Sequence, residues 1–580
     1  MGDDGDPRIS TTQAPSIVAC DVLVVGAGAG GLATAITARL SGLEVIVVEK
    51  EAQFGGTTAL SGGWIWVPCS HHARAAGVDD SPAAARRYLE HELGQRFDPA
   101  RVDTYLQNAP EMVEFFERHT AVRFQLGREY PDYHPSQPGG ASGGRALCPV
   151  PFDGRELGER LEWLRPPVRE MTLYGLKVGS GPDFHHFFNA RRSPRSAWYV
   201  ARRVARHMTD VARHGRDVLL MSGNALMARL GKTVFDLDIP LWLATPAREL
   251  LVEGAVVVGA RITREGRPVE VRARRGVVLA AGGFARDQER RRVLFPHAPN
   301  PGEHHSLTGP GNTGDGLRMA EAVGAAIESS CVSAAPWMPV SEVRYADGTF
   351  GVYPHSYERG KPGAILVGPD GRRFCNESDS YHDVVQAMIA RRRPGTAPHA
   401  YLVADARFLR RYGLGMAKPF PLPLRPYLRS GYLRRARTLE GLASAIGVDA
   451  SALVETVTRF NRHAARGEDP EFNRGANAYN RYQGDLAQRP NPCLAPIDEP
   501  PFYAVRVLPG DLGTFMGLRT NELGNVLDRD GHPVGGLFAV GNDMASLFGG
   551  HYPGPGSNIG PAMTFGFVCA RHLAAAATPP

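Results

Sequence analysis

Several features are missing from this sequence, and each absence narrows the reading. No uninterrupted apolar run approaches the ~18 residues needed to span a bilayer. The opening stretch MGDDGDPRISTTQAPS is acidic and has no apolar core of the kind an export signal carries. Seven cysteines, at 20, 69, 148, 331, 375, 493 and 569, form no CxxC and no metal-like spacing, and their number is odd. That pattern argues against a disulfide framework or a zinc site and for a reducing compartment. Charge of one sign is lacking too: 66 basic against 60 acidic side chains leave a formal +6, too small a surplus to call for a nucleic-acid partner. No Ser-His-Asp set falls at convincing spacing for acyl transfer. The expectation is a cytoplasmic protein whose function lies in its sites.

What is present is glycine in organised places. CDVLVVGAGAGGLATAITARLSGLEVIVVEK (20–50) reads strand, glycine turn, helix, strand: the valine-rich runs suit a buried parallel sheet, and the Ala/Leu-rich piece suits its crossover helix. Gly26, Gly28 and Gly31 form GxGxxG, with Ala29 and Gly30 between them. The first glycine permits the turn, the second admits a pyrophosphate, the third lets helix and strand close, and the helix N-terminus faces the anion. Glu49, next to Lys50, ends the following strand, where it can accept from a ribose diol. Two further runs favour FAD over NAD. One is the FGGTTALSGGW loop, with Gly55, Gly56, Thr57, Thr58, Ser61, Gly62 and Gly63, slim enough to follow a pyrophosphate and flavin. The other is LAAGGF, with Ala281, Gly282 and Gly283, where adenine-side packing needs small residues.

The expected fold class is α/β: a Rossmann-like FAD-binding domain whose parallel sheet carries a β-meander (239–284), plus an inserted α+β catalytic domain. The boundaries are placed at 1–17 (disordered leader), 18–305 (first part of the FAD domain), 306–505 (insertion, with helical stretches such as 438–467) and 506–580 (return to the FAD domain). Residues 149–171 receive no role beyond packing. PFPLPLRPYLRSGYLRRAR (419–437) reads as a solvated basic loop, with peripheral membrane contact as its alternative.

The GAGAGG start, GGTTALSGG, LAAGGF, TGDGLRMAEAVGA (313–325) and the terminal Gly541-Asn542 with its glycine turn resemble the flavoprotein superfamily of fumarate reductases and 3-ketosteroid dehydrogenases, across nearly the whole chain. Dicarboxylate-handling members carry a terminal loop similar to GANRLGGNA; laid on Gly556 and Asn558, its arginine falls on Gly554, so the carboxylate anchor is missing. YPGPG (552–556) instead looks like the signature of 3-ketosteroid Δ1-dehydrogenases. That resemblance implies that the Tyr552 hydroxyl and the Gly556 N–H hold a C3 carbonyl. It also implies that the helix starting at Ser557, Asn558 and Ile559 points at the flavin N1/C2=O edge, where its positive end stabilises reduced flavin. GRRFCNESDSYHD (371–383) and YPDYHPSQPGG (130–140) resemble the segments carrying the catalytic tyrosine and its partner, which implies Tyr381 as base and Tyr133 beside it, with Tyr130 as the alternative. His134, His382 and His551 adjoin these tyrosines and read as local hydrogen-bond partners.

The implied activity is 1,2-desaturation of a 3-ketosteroid or similar cyclic ketone, with non-covalent FAD, a small lipophilic ketone substrate and an unidentified electron acceptor. Alternatives are a Δ4-dehydrogenase, a fumarate-reductase-like ene reductase and a non-catalytic flavin binder.

Overall fold

A computed structural model describes residues 16–179, 182–191, 193–345, 347–393, 395–419 and 423–576. Most of the expected leader lies outside these residues. Its last two positions do not: Ser16 and Ile17 already belong to the strand Ser16–Val25, because the long strand Arg267–Leu279 offers Val269 and Glu270 as parallel partners.

The first sheet runs in the order Leu241–Trp242, Val45–Val48, Ser16–Val25, Arg267–Leu279, Val256–Arg264, Pro533–Ala539, Asn525–Leu527, with Ala247–Glu253 alongside Val256–Arg264. Ser16–Val25 pairs in parallel on both sides, which is why VLVV and VIVV are apolar at every position. The meander is antiparallel, and the C-terminal strand returns parallel to Arg267–Leu279. Helix Ala29–Leu40 is buried over its first ten residues. It lies so close to the terminal helix Ile559–Ala575 that a Cβ on Gly566 would stand 2.7 Å from the Gly30 carbonyl oxygen. A Cβ on Gly30 would in turn stand 3.2 Å from the Ala562 carbonyl oxygen, so the first turns of both helices meet.

The second sheet has the order Phe350–Pro354, Trp337–Arg344, Phe502–Asp511, Ala400–Ala404, Ala364–Val367, with His305–Ser306 and Leu433–Ala436 also on Phe502–Asp511. Period-two alternation gives it two cores: Ile365, Val403 and Ala504 face helices Leu439–Ile446 and Ala450–Ala464, while Leu366, Leu402 and Val505 face the other way. Its central strand continues past the boundary expected at residue 505, because Pro509 to Asp511 still pair with Trp337 to Pro339. The stretch 438–467 is two helices, broken at Gly447 in the left-handed conformation and restarted by the Asp449 cap on Ala452 N. In the basic segment, Leu433 is buried and pairs with Val505. Among the described residues no helix is long and apolar enough to cross a membrane, and all seven cysteines are free.

A three-stranded sheet of Ile65–Trp66, Ala146–Pro149 and Phe124–Leu126 carries the 127–145 loop. Arg145 anchors that loop: its buried guanidinium pairs with Asp132 at 2.7 Å and Asp80 at 2.7 Å, and Asp132 also accepts from Trp66 Nε1 at 2.8 Å and Ala141 N at 2.9 Å. Breaking such a network from one side leaves a buried, unpaired carboxylate. Arg145→Met is therefore expected to cost about 3–5 kcal/mol of stability, measurable by denaturant titration.

Candidate active site

The glycine turn forms a cradle, and the three glycines do different things. Gly26 has φ +114°, and a Cβ there would meet the Ala280 carbonyl oxygen at 2.2 Å. A Cβ on Gly31 would stand 2.0 Å from the Gly26 oxygen, whereas one on Gly28 would meet nothing within 4 Å. The turn is thus closed against protein at its first and third glycines and open at its second, towards a cavity of ≈ 440 Å³ bordered by Gly28 and Ala29. Asn558 and Ile559, from the terminal helix, border the same cavity, so two helix N-termini face it, an arrangement suited to an anionic group.

Glu49 accepts from Ala27 N at 2.9 Å through one oxygen and from Glu51 N at 3.0 Å through the other, leaving lone pairs on both for a ribose diol. Burial raises its pKa, against those two hydrogen bonds. Lys50, which also borders the cavity, is tied to Asp315 and, at 2.7 Å, to the Thr313 hydroxyl. Thr57, Thr58, Ser61, Gly62 and Gly63 continue the wall, together with Gly26, Gly30 and Gly56. Ala281, Gly282, Gly541 and Asn542 close it.

At the other end of the cavity the tyrosines converge. The Tyr133 hydroxyl donates to the Tyr381 hydroxyl at 2.8 Å. The Tyr552 ring centre is 5.4 Å from that of Tyr133 and 5.5 Å from that of Tyr381, both edge-on. All three border the cavity with Gly556. Tyr381 opens the helix Tyr381–Ala390, whose Ser380 cap accepts from Asp383 N at 3.2 Å. Tyr133 reaches the terminal turn through the backbone: Tyr133 N and the Tyr88 hydroxyl both donate to the Pro553 carbonyl, at 2.9 and 2.6 Å. Gly556 has φ +93°, and a Cβ on it would stand 2.4 Å from the Trp64 carbonyl; that conformation and that contact require glycine. Among the described residues no protein acceptor takes the Gly556 N–H. An arginine could not stand at 554 on this backbone either, since a Cβ there would lie 2.6 Å from Trp66 Cδ1.

Burial raises the Tyr552 phenol to about 12 and pushes Tyr381 and Tyr133 well above the ordinary tyrosine value. Of the three adjoining histidines, His134 and His382 are engaged through their rings, whereas His551 is bonded only through its backbone N–H, to the Phe548 carbonyl at 2.9 Å, among the described residues. His134 spans Glu92 and Asp383, at 2.7 and 2.9 Å; burial opposes its charge, but the two carboxylates prevail and lift it to about 11. His382 Nδ1 accepts from Trp337 N at 3.0 Å, and burial lowers it to about 4. Tyr130 stacks on Tyr482 with ring centres 4.6 Å apart, so among the hydrogen bonds of the described residues it is Tyr133 that bonds to Tyr381.

The FAD-binding-domain family profile matches residues 21–559. The chain is 41% identical to a 4-oxocyclohex-2-ene-1-carboxylate 5-dehydrogenase of Sinomonas cyclohexanicum, covering 97% of this chain and 95% of the relative. It is 38% identical to a 3-oxosteroid 1-dehydrogenase of Mycobacterium tuberculosis, covering 96% and 98%. Among solved structures, the 3-ketosteroid Δ1-dehydrogenase of Sterolibacterium denitrificans in complex with 1,4-androstadiene-3,17-dione superposes with a TM-score of 0.88 at 38% identity, covering 96% of this chain and 99% of that one. The chain belongs to the 3-ketosteroid Δ1-dehydrogenase family. It is an FAD-dependent oxidoreductase, and the cradle of this family member fits the cofactor: the one glycine of the turn left open faces the cavity.

Four residues expected in the cofactor set do not border the cavity: Gly31, Gly55, Gly283 and Ser557. Each serves the backbone behind it. Gly31 packs on Gly26, Gly55 on Ala59, and Gly283 against the Thr514 hydroxyl, where a Cβ would come within 2.2 Å. Ser557 Oγ donates to the Gly554 carbonyl at 2.7 Å. Gly31→Ala is accordingly expected to weaken FAD binding by about 5- to 150-fold, on an overpacking cost of about 1–3 kcal/mol, seen as loss of yellow colour during purification.

Sequence reasoning missed Asp543 and Arg165. Asp543 is buried and accepts from Ala281 N at 2.5 Å and Gly283 N at 3.0 Å, which pins the LAAGGF turn; burial raises it to about 6. Arg165 lies in the stretch given no role; it borders the cavity 3.6 Å from Glu51. Neither carries a local signal, because an acid and an arginine at such positions read as ordinary surface charge.

Proposed function

We propose that this enzyme desaturates a cyclic ketone next to its carbonyl, the 1,2-bond of a 3-ketosteroid being the reference case. The observation that carries this is the set of three mutually contacting tyrosines beside an unused backbone N–H, on one cavity with the FAD cradle. The Tyr552 hydroxyl and the Gly556 N–H donate to the carbonyl oxygen and stabilise the negative charge that develops there. That charge acidifies the adjacent C–H, from which the Tyr381 oxygen takes the proton. Tyr133, donating to Tyr381, favours the phenolate form. FAD, when bound, supplies the acceptor for the hydride. Gly56, Gly62, Gly63 and Gly282 border the cavity and put no side chain into it.

Burial sets the pH dependence. A base must be deprotonated to act, and burial holds Tyr381 above its ordinary value, so kcat/KM is expected to rise with pH up to and beyond ~10. A flat profile from pH 6 to 9 would count against Tyr381. Product analysis with 4-androstene-3,17-dione and an artificial electron acceptor tests the regiochemistry. A 1,4-diene product supports the reading, and no flavin bleaching by any cyclic ketone under anaerobic conditions removes it.

A second reading is favoured by the relative at 41% identity, whose name specifies a monocyclic keto acid. The chemistry is the same; the substrate is smaller and anionic. Both readings require the ketone grip and differ in what the rest of the cavity must recognise.

A further inference from the structure

Lys177 ends the short strand Leu176–Lys177 and borders the same cavity as Tyr552, yet it is only 9% exposed. Among the described residues its ammonium has no hydrogen-bond or ion-pair partner; the contact it makes is through its carbonyl, which accepts from Arg203. Lys418 borders the cavity too. Its ammonium lies 4.6 Å from the Tyr353 ring centre and 3.4 Å from the Glu170 carbonyl oxygen, and it forms no ion pair among the described residues.

The neighbouring acids make their direct contacts with other groups, although Glu358 and Glu170 still lend Lys418 some opposite charge. Glu170 accepts from the Tyr345 hydroxyl at 2.6 Å, Glu358 pairs with His355 at 2.6 Å, and Asp183 takes Gly179 N and the Tyr199 hydroxyl at 2.6 and 2.8 Å. Two ammonium groups therefore border one cavity without a direct ion pair among the described residues, Lys177 with no acid acting on it and Lys418 with the more distant charge of Glu358 and Glu170. Burial, with the like charge of Lys418 added, lowers Lys177 to about 8, and burial lowers Lys418 as well, against the opposing pull of Glu358 and Glu170. Leaving a cation buried and unpaired is costly, and a ligand anion removes that cost. A neutral ketone would not.

We infer that Lys177 and Lys418 form a carboxylate-binding subsite on the substrate cavity, outside the tyrosine cluster, and that the substrate is a cyclic ketone that also carries a carboxylate. The inference rests on the reading that Tyr552 and Gly556 hold the ketone. The two sites then fix the substrate at both ends, with the ketone oxygen on neutral donors and the carboxylate on the ammonium pair. Charge-assisted hydrogen bonds of this kind discriminate strongly against an ester of the same shape.

The test uses the FAD-loaded full-length protein and two matched pairs: 4-oxocyclohexanecarboxylate with its ethyl ester, and 3-oxochol-4-en-24-oate with its methyl ester. One pair is short and one is long, so the distance between the two sites is not prejudged. For at least one pair, kcat/KM for the acid is expected to exceed that for the ester by more than about tenfold. Lys177→Met and Lys418→Met should each bring that ratio to within about threefold of unity through a higher KM for the acid, while Lys177→Arg preserves it. Esters turned over as well as acids in both pairs by the unmodified enzyme would overturn the subsite. So would a ratio that survives in both methionine variants. If neither acid is turned over while 4-androstene-3,17-dione is, the subsite falls and the ketone reading stands; if no cyclic ketone of any kind bleaches the flavin, the ketone reading falls and takes the subsite with it.

Discussion

Tyr552→Phe is expected to lower kcat/KM on a cyclic ketone by about 10²–10³-fold while the protein stays yellow, since loss of one donor to a developing oxyanion costs about 2.7–4 kcal/mol. The substitution removes one oxygen and its hydrogen bond with the Tyr381 hydroxyl, which holds the Tyr381 phenol up. The ring keeps its edge-on packing against Tyr133 and Tyr381, and also against Phe515 and His382, whose ring centres are both 5.9 Å away. The Pro553 carbonyl keeps both donors, so the turn should hold its shape. Steady-state rates read the catalytic loss, and the absorbance ratio of flavin to protein shows that the cofactor site is intact. The deficit should persist across chemically different ketones, because the carbonyl is what they share. A variant with full turnover would remove Tyr552 from the reaction.

Tyr381→Phe is the second large effect: about 10²–10⁴-fold in turnover, the range associated with a positioned general base. The two variants should differ in their pH behaviour. Tyr552→Phe keeps the base, so its residual activity should still climb with pH, whereas Tyr381→Phe loses the titrating group and should flatten. This split separates a catalytic from a structural role for Tyr381, because a merely packing tyrosine would not carry the pH dependence away with its hydroxyl. The alkaline rise follows from burial, which holds the phenol of Tyr381 protonated.

Much of this was legible in the sequence where the signal is local. The βαβ unit at 20–50 announces itself because three glycines and two valine runs sit within one supersecondary motif: a Cβ on Gly26 or Gly31 would lie 2.2 or 2.0 Å from a carbonyl oxygen, while Gly28 is open to the cavity. The meander was legible from turn residues at its breaks. Where the chain closes on itself over long separations, the sequence is silent. Asp543 pins Ala281 from 262 residues away, and the pairing of Asp511 with Trp337 that carries the second sheet past residue 505 has no marker in local composition. Lys177 and Lys418 read as surface charges until the fold puts them on one cavity. The four candidate catalytic residues were reachable only by resemblance, since a tyrosine at 133, 381 or 552 looks locally like any other.

The central claim is that a ketone oxygen sits between the Tyr552 hydroxyl and the Gly556 N–H, with the Tyr381 oxygen facing the neighbouring carbon. A crystal structure of the FAD-loaded protein with a bound cyclic-ketone product measures this directly. The predicted result is a carbonyl oxygen about 2.6–3.2 Å from both donors, with the ring stacked along the flavin. A carbonyl lodged elsewhere, or a Tyr552 ring rotated out of the cavity, would contradict it.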